Sequence, residues 1–238
     1  NAGGLFLGEA SPEAIGDYAA RRALSRLKAR KLSTRKAPVV FEAPLAAGLI
    51  GAWVQAVSGG ALYRKSTFLL DSLGKKIFPD FVQIAERPHI PGALASSPFD
   101  DDGVATRDRE VVQDGVLQGY FLSTYSARKL GMQTTGNAGG SHNLLVKPGK
   151  HDLEGLLREM GTGLLVTELL GQGVNYVTGD YSRGAAGYWV EKGVIAYPVQ
   201  EITIAGNLRE MFGGIVDIGS DVLVRGSKNV GSILIDRM

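Results

Sequence analysis

The chain has 238 residues, of which 44% are hydrophobic and 21% charged, with a net charge of +2. That length is enough to bury a substantial core, and so even a charge balance gives no reason to expect nucleic acid or an acidic membrane surface as partner. The absence of cysteine excludes disulfides, thiol nucleophiles and thiolate-bound metal within the chain, leaving His89, His142 and His151 as its only imidazoles.

No apolar run approaches the ~20 residues that span a bilayer. The chain opens on Asn rather than Met and shows no signal-like segment, so a trimmed N-terminus is expected. Ser11-Pro12-Glu13 starts a helix, with Ser as cap, Pro in the first turn and Glu against the dipole. Ile15, Tyr18, Ala19, Ala23, Leu24 and Leu27 continue it as one apolar stripe. Arg21, Arg22, Arg26, Lys28, Arg30, Lys31, Arg35 and Lys36 make the other side and the following linker basic. No aromatic residues interleave these charges for base stacking, so a solvated face is favoured over a nucleic-acid site. Residues 1–36 read as a helix and basic linker, and 37–238 as the main domain.

The central stretch runs from Ala37 to Gly60. Val39-Val40-Phe41 suits a buried strand. Pro44 then sits in the first turn of a helix whose apolar residues fall at Ala46, Leu49, Ile50, Trp53, Val54 and Val57. Ser58-Gly59-Gly60 is expected to stop it. This helix has no His, Glu or Cys, so it can neither hold a metal nor move a proton.

Phe68-Leu69-Leu70 is too short to assign, and Phe81 to Ala85 alternates like a strand. His89, between Pro88 and Pro91, reads as a surface loop histidine. Asp100-Asp101-Asp102, closed by Gly103, is too compact for a calcium loop and too close-set for an acid/base pair, and is expected to be a turn or a cap on a neighbouring element. Glu110 to Leu122 forms a hairpin around Asp114-Gly115, a type I′ signal. Ser123 to Gly131 is a short capped helix. In Thr134 to Asn143, Gly139 and Gly140 let a backbone or ligand come close, and Ser141, His142 and Asn143 follow. Neighbours in sequence do not make a Ser–His pair, so a shaped, hydrogen-bonded loop is expected. A helix follows His151-Asp152. Strands are expected at 164–170, 174–178, 185–191, 194–199, 202–205, 221–224 and 232–235, with a helix at 207–212. Antiparallel hairpins with several helices and no strict βαβ alternation make the fold class α+β, mostly antiparallel.

Six segments, in order, resemble one family: FEAPLAAGLI (Phe41 to Ile50), SGGALYRKSTFLLD (Ser58 to Asp71), SSPFDDDGVATRD (Ser96 to Asp108), YSARKLG (Tyr125 to Gly131), GNAGGSHN (Gly136 to Asn143) and GYWVEKGVIAYPV (Gly187 to Val199). The likeness is to the C-terminal half of the PmbA/TldD family, and most closely to its PmbA branch, also called TldE and once named for modulation of DNA gyrase. It spans roughly Pro38 to Met238 and implies that the family's N-terminal half is missing. It also implies a cytoplasmic complex. In that complex a TldD-type subunit carries zinc on an HExxxH helix with a late Cys, and cleaves unfolded peptides such as peptide-antibiotic precursors and an antitoxin. The motif falls on Gly51 to Ala56, with Gly51 and Ala56 at the His positions and Ala52 at the Glu. None offers a ligand. The implied role is therefore a non-catalytic subunit without its own metal, with zinc in a TldD-like partner. Asp100, Asp101, Asp102, Gly139, Gly140, Ser141, His142 and Asn143 are the polar positions expected near a peptide-binding cavity. A homodimer is open to the chain alone. The alternatives are a metallopeptidase using His142, His151 and the Asp100–Asp102 run, or a gyrase modulator acting through the basic segment.

Overall fold

A computed structural model describes residues 11–238; the first ten residues, where the chain start was read, lie outside them. In chain order the elements are α1 (Pro12–Leu24), β1 (Val39–Phe41), α2 (Ala43–Ala56), α3 (Gly59–Tyr63), β2 (Ile84–Glu86), β3 (Arg109–Gln113), β4 (Val116–Leu117), α4 (Thr124–Leu130), β5 (Leu144–Val146), α5 (Leu153–Met160), β6 (Gly163–Leu170), β7 (Asp180–Glu191), β8 (Val194–Asn207), α6 (Leu208–Gly213), β9 (Ile215–Ile218), β10 (Lys228–Asn229) and β11 (Ile233–Ile235). They build a six-stranded sheet, ordered β8-β7-β6-β1-β11-β9, and a five-stranded one, ordered β10-β5-β2-β3-β4. Pairing is antiparallel except for β1 with β6 and β10 with β5, so the α+β architecture is the one expected.

A strand of only three residues, β1, sits in the middle of the larger sheet. Val39, Val40 and Phe41 are all buried because β1 lies between β6 and β11 and is covered on both faces. Side chains alternate across a strand. Val39 and Phe41 therefore join the main core with Leu164, Val166 and Ile233, while Val40 joins Leu165, Tyr188 and Leu234 under α5. Helix α2 fills the first face. Its Trp53 is fully buried and packs edge-on against Phe78 and Phe121, each at 5.7 Å. The N-terminus of α2 takes its cap from far along the chain. The Ala43 N–H donates to Ser232 Oγ at 3.0 Å, and the Ser232 hydroxyl donates to Asp221.

Helix starts follow their caps. Ser11, Ser123, Asp152 and Asn207 each accept a hydrogen bond from a first-turn N–H. Gly131 ends α4 in the left-handed conformation, and Asp114 and Gly115, with φ of 51° and 73°, make the expected hairpin turn.

Several strands and stops differ from expectation. α2 does stop ahead of Ser58-Gly59-Gly60, at Ala56, but those residues then open α3, with Gly59 pressed against the Ser126 side chain. Residues 174–178 are not a strand but a turn folded over the start of β7, joined to it by a Val174–Tyr181 bridge and by hydrogen bonds of Asn175 and Thr178 with Asp180. Residues 221–224 are likewise irregular, since Asp221 serves as a partner to Ser232. Residues 194–199 and 202–205 belong to one strand, β8, with Glu201 at φ 52° between them. The strand at 81–85 is β2, beginning at Ile84, and Phe68-Leu69-Leu70 is a turn. The α1 stripe does not face the core; no residue of α1 is buried. Among the described residues, no helix is long and apolar enough to cross a membrane.

Candidate functional site

Helix α2 runs through the middle of the fold, and its flanks carry two cavities. One, about 150 Å³, is lined by Leu45, Leu49 and Ala52 of the helix and by Leu169, Tyr181 and Arg183 of the facing sheet. The other, about 350 Å³, lies between Ala43, Pro44 and Ala47 and the segment from Leu223 to Lys228. Gly51 faces the latter segment: a Cβ there would stand 3.5 Å from Lys228 Cε. Ala52 opens on the smaller cavity, and Ala56 is fully buried with its carbonyl accepting from Thr67 Oγ1 at 2.6 Å. Ala52 and Ala56, four apart on the helix, share a face, and Gly51 lies beside the Lys228 stem; none of the three brings a nitrogen, oxygen or sulfur side-chain atom. Zinc requires such donors. The residues present on α2 do not fit a zinc ion.

The polar loops are organised from within. Glu86, 1% exposed, accepts from Arg109 Nε at 2.6 Å, from Asn137 Nδ2 at 2.8 Å and from the His142 N–H at 2.8 Å. Asp100 accepts from the N–H groups of Asp102 and Val104 and, across the loops, of Ala138. The Asp102 carboxylate accepts from the Thr124 N–H at the start of α4. The acidic run is therefore a cap on neighbouring elements. What comes close to Gly139 is Asp101, whose carboxylate lies 2.4 Å from the place of a Cβ. His142 is buried with Nε2 2.9 Å from the Gly136 carbonyl, and Asn143 ties Arg87 to Ala95 and Ser96. Asp101, Asp102, Gly139 and Gly140 are exposed, and Ser141 is half-buried. The two loops thus meet each other, and an adjoining cleft of about 400 Å³ is lined by 104–107, α4 and 132–136 rather than by the eight predicted residues themselves.

The alternative metal set is not assembled. His142 serves the glycine loop, whereas His151 Nδ1 lies 2.8 Å from Asp217 Oδ2 and 3.3 Å from Glu159 Oε2. Among the described residues, His151, Glu159 and Asp217 are the group of three able to hold a metal ion. The hydrogen bond to Asp217 raises the His151 pKa above the ordinary histidine value, with both carboxylates adding to the pull. His89 is an exposed loop residue bonded to Thr106, as expected. The basic segment is engaged internally: Arg22 forms a two-pronged pair with Glu42, Arg26 and Lys31 pair with Glu168 and Glu201, and Arg30 and Arg35 lie over Tyr197 and Trp189.

Tyr181 and Arg183 were not visible as candidates in the sequence. Two residues apart on β7, they share one face, and only the opposing helix turns that face into a cavity wall.

Residues 34–238 match the family described as the PmbA/TldA metallopeptidase C-terminal domain. Metalloprotease PmbA of Escherichia coli O157:H7 is 56% identical over 228 residues, 96% of this chain and 51% of that protein. The PmbA homolog of Haemophilus influenzae is 55% identical with the same coverage. A crystal structure from Bacteroides thetaiotaomicron, which bears the name of a DNA gyrase modulator, superimposes with a TM-score of 0.93 at 32% identity, over 98% of this chain and 53% of that one. TldE from Thermococcus kodakarensis shares the fold, with a TM-score of 0.82 at 24% identity, over 95% of this chain and 55% of that one. The chain belongs to the PmbA/TldD metallopeptidase family and carries its C-terminal domain. Within that family its strongest likeness among these is to the PmbA proteins, and it spans about half the length of the relatives it matches.

Proposed function

We propose that this chain belongs to a non-catalytic, PmbA/TldE-type subunit of a cytoplasmic, heteromeric metallopeptidase, with zinc held by a TldD-like partner and unfolded peptides as substrate. The observation that carries this reading is α2. The helix on which the resemblance sets the zinc motif is intact, capped and packed around Trp53, yet its three motif positions are Gly51, Ala52 and Ala56. Selection for a wall rather than for a reaction fits such a helix. A strand-rich wall holds an extended peptide through backbone hydrogen bonds, which tolerates many sequences. The exposed rim of the paired loops, at Asp101, Asp102, Gly139 and Gly140, is where peptide contact is proposed.

The test is a peptidase assay on an unfolded peptide with the full-length protein alone, a zinc-bearing TldD-type relative alone, and both together, each with and without chelator. Activity confined to the mixture and abolished by chelator is the expected outcome. Chelator-sensitive activity from this protein by itself would overturn the reading, and would direct attention to His151, Glu159 and Asp217.

A further inference from the structure

The cavity between α2 and β7 holds an unusual pair. The Tyr181 hydroxyl belongs to a side chain that is 3% exposed, and among the described residues neither it nor Arg183 Nε has a hydrogen-bond partner. Arg183 also forms no ion pair among the described residues. Arg183 draws on the phenol oxygen by charge and hydrogen bonding, which leaves the hydroxyl proton and the guanidinium charge unmet; buried polar groups are nearly always satisfied, so the pair marks a place for an absent acceptor. Both line the same space of about 150 Å³. That is room for several heavy atoms, since one water takes roughly 30 Å³ of liquid.

The rest of the wall selects the ligand. Leu45, Leu49, Leu169 and Val174 supply hydrocarbon, Gln172 and Tyr176 add neutral polar groups, and the only charge is the single guanidinium. Burial raises the Tyr181 pKa against the pull of Arg183, so the phenol keeps its proton and donates. The buried, unpartnered hydroxyl of Tyr181 and the guanidinium match the two oxygens and single charge of a carboxylate. We propose that this cavity binds a carboxylate carried next to an apolar group, with Tyr181 and Arg183 holding its oxygens and the leucines its hydrocarbon. Two sources have this chemistry: the α-carboxylate ending a peptide in an apolar residue, and an acidic side chain within a peptide. That the carboxylate is a peptide's rests on the function proposed above; that the cavity takes a carboxylate does not.

The test is calorimetric titration of the full-length protein with N-acetyl-leucine, N-acetyl-leucinamide and N-acetyl-glutamate α-amide. Tyr181→Phe and Arg183→Gln are run beside the parent. Tyr181→Phe removes one atom, and its thermal melt reports that the fold is kept. Saturable binding of N-acetyl-leucine, at least tenfold weaker for the amide and at least tenfold weaker in both variants, is expected for a terminal carboxylate. The same losses with N-acetyl-glutamate α-amide as the tighter ligand identify a side-chain source. No saturable binding of either acid, equal binding of the neutral amide, or unchanged affinity in both variants would overturn the proposal. None of these titrations needs cleavage or a partner, so a failed peptidase reconstitution and a failed titration are separate results.

Discussion

A carboxylate as deeply buried as Glu86 must meet its charge locally, and it does so with Arg109, Asn137 and the His142 N–H. Removing it strands a largely buried guanidinium and frees the glycine loop. Glu86→Ala is expected to lower stability by about 3–5 kcal/mol in urea denaturation, the range for breaking a buried pair; a loss below about 1 kcal/mol would show that Arg109 finds another partner. Tyr181→Phe should go the other way. An unsatisfied buried hydroxyl is a penalty in the free protein, so its removal is expected to stabilise by about 1 kcal/mol, with the Phe41 edge contact retained. A lower melting temperature would mean that the hydroxyl is already satisfied. His151 gives a pH dependence with a definite sign. Its folded pKa is raised, so its contribution is fully present below about 6.5, the unfolded value, and is lost as pH rises through the folded value. NMR titration should place His151 above an ordinary histidine, and Asp217→Asn should bring it back down; a midpoint at or below the ordinary value would refute the linkage.

Elements with a chemical signature at their ends were legible in the sequence. Ser11, Ser123, Asp152 and Asn207 announce their helices because a short polar side chain before an apolar face has one main use, and Asp114-Gly115 announces its hairpin for a similar reason. Gly115 is the sharper case, since a Cβ there would lie 2.1 Å from the Phe78 carbonyl as well as at φ 73°. Gly115→Ala is expected to cost well over 1 kcal/mol by denaturant titration, and a neutral result would mean that the turn rebuilds. Strands made by distant partners were not legible. Ile215–Ile218 and Leu144–Val146 are runs of three or four residues whose state is fixed only by pairing with β11 and β2. The alternation at 174–178 misleads because a loop that packs on a strand needs apolar residues as well. The candidate site divides the same way. The acidic run reads as a cap from its compactness, but the cavity at Tyr181 and Arg183 exists only once α2 crosses β7. Helix α1 is a further case: its apolar stripe is legible, yet what fastens it is the Arg22–Glu42 and Arg26–Glu168 pairs. Such part-exposed pairs are screened by salt, so amide exchange in α1 is expected to accelerate in high salt while α2 stays protected; equal rates would show that apolar contacts hold it.

At the scale of the whole molecule, α2 is a scaffold element first, buried along one face and packed around Trp53. Its core role belongs to large apolar side chains, Leu49, Ile50 and Trp53, while Gly51, Ala52 and Ala56 are small, so the packing of the helix does not depend on what those three positions carry. The same centre sets a temporal constraint. The strand leading into α2 is closed on one side by β6 and on the other by β11, and the helix cap comes from Ser232. While a ribosome is still making the chain, β1 and α2 emerge before β6 and well before β11, and their edges stay uncovered until those strands follow. Until β11 is released, an aggregation-prone apolar segment stands open, and a nascent chain of this kind is a natural client for a chaperone that shields it until that strand arrives.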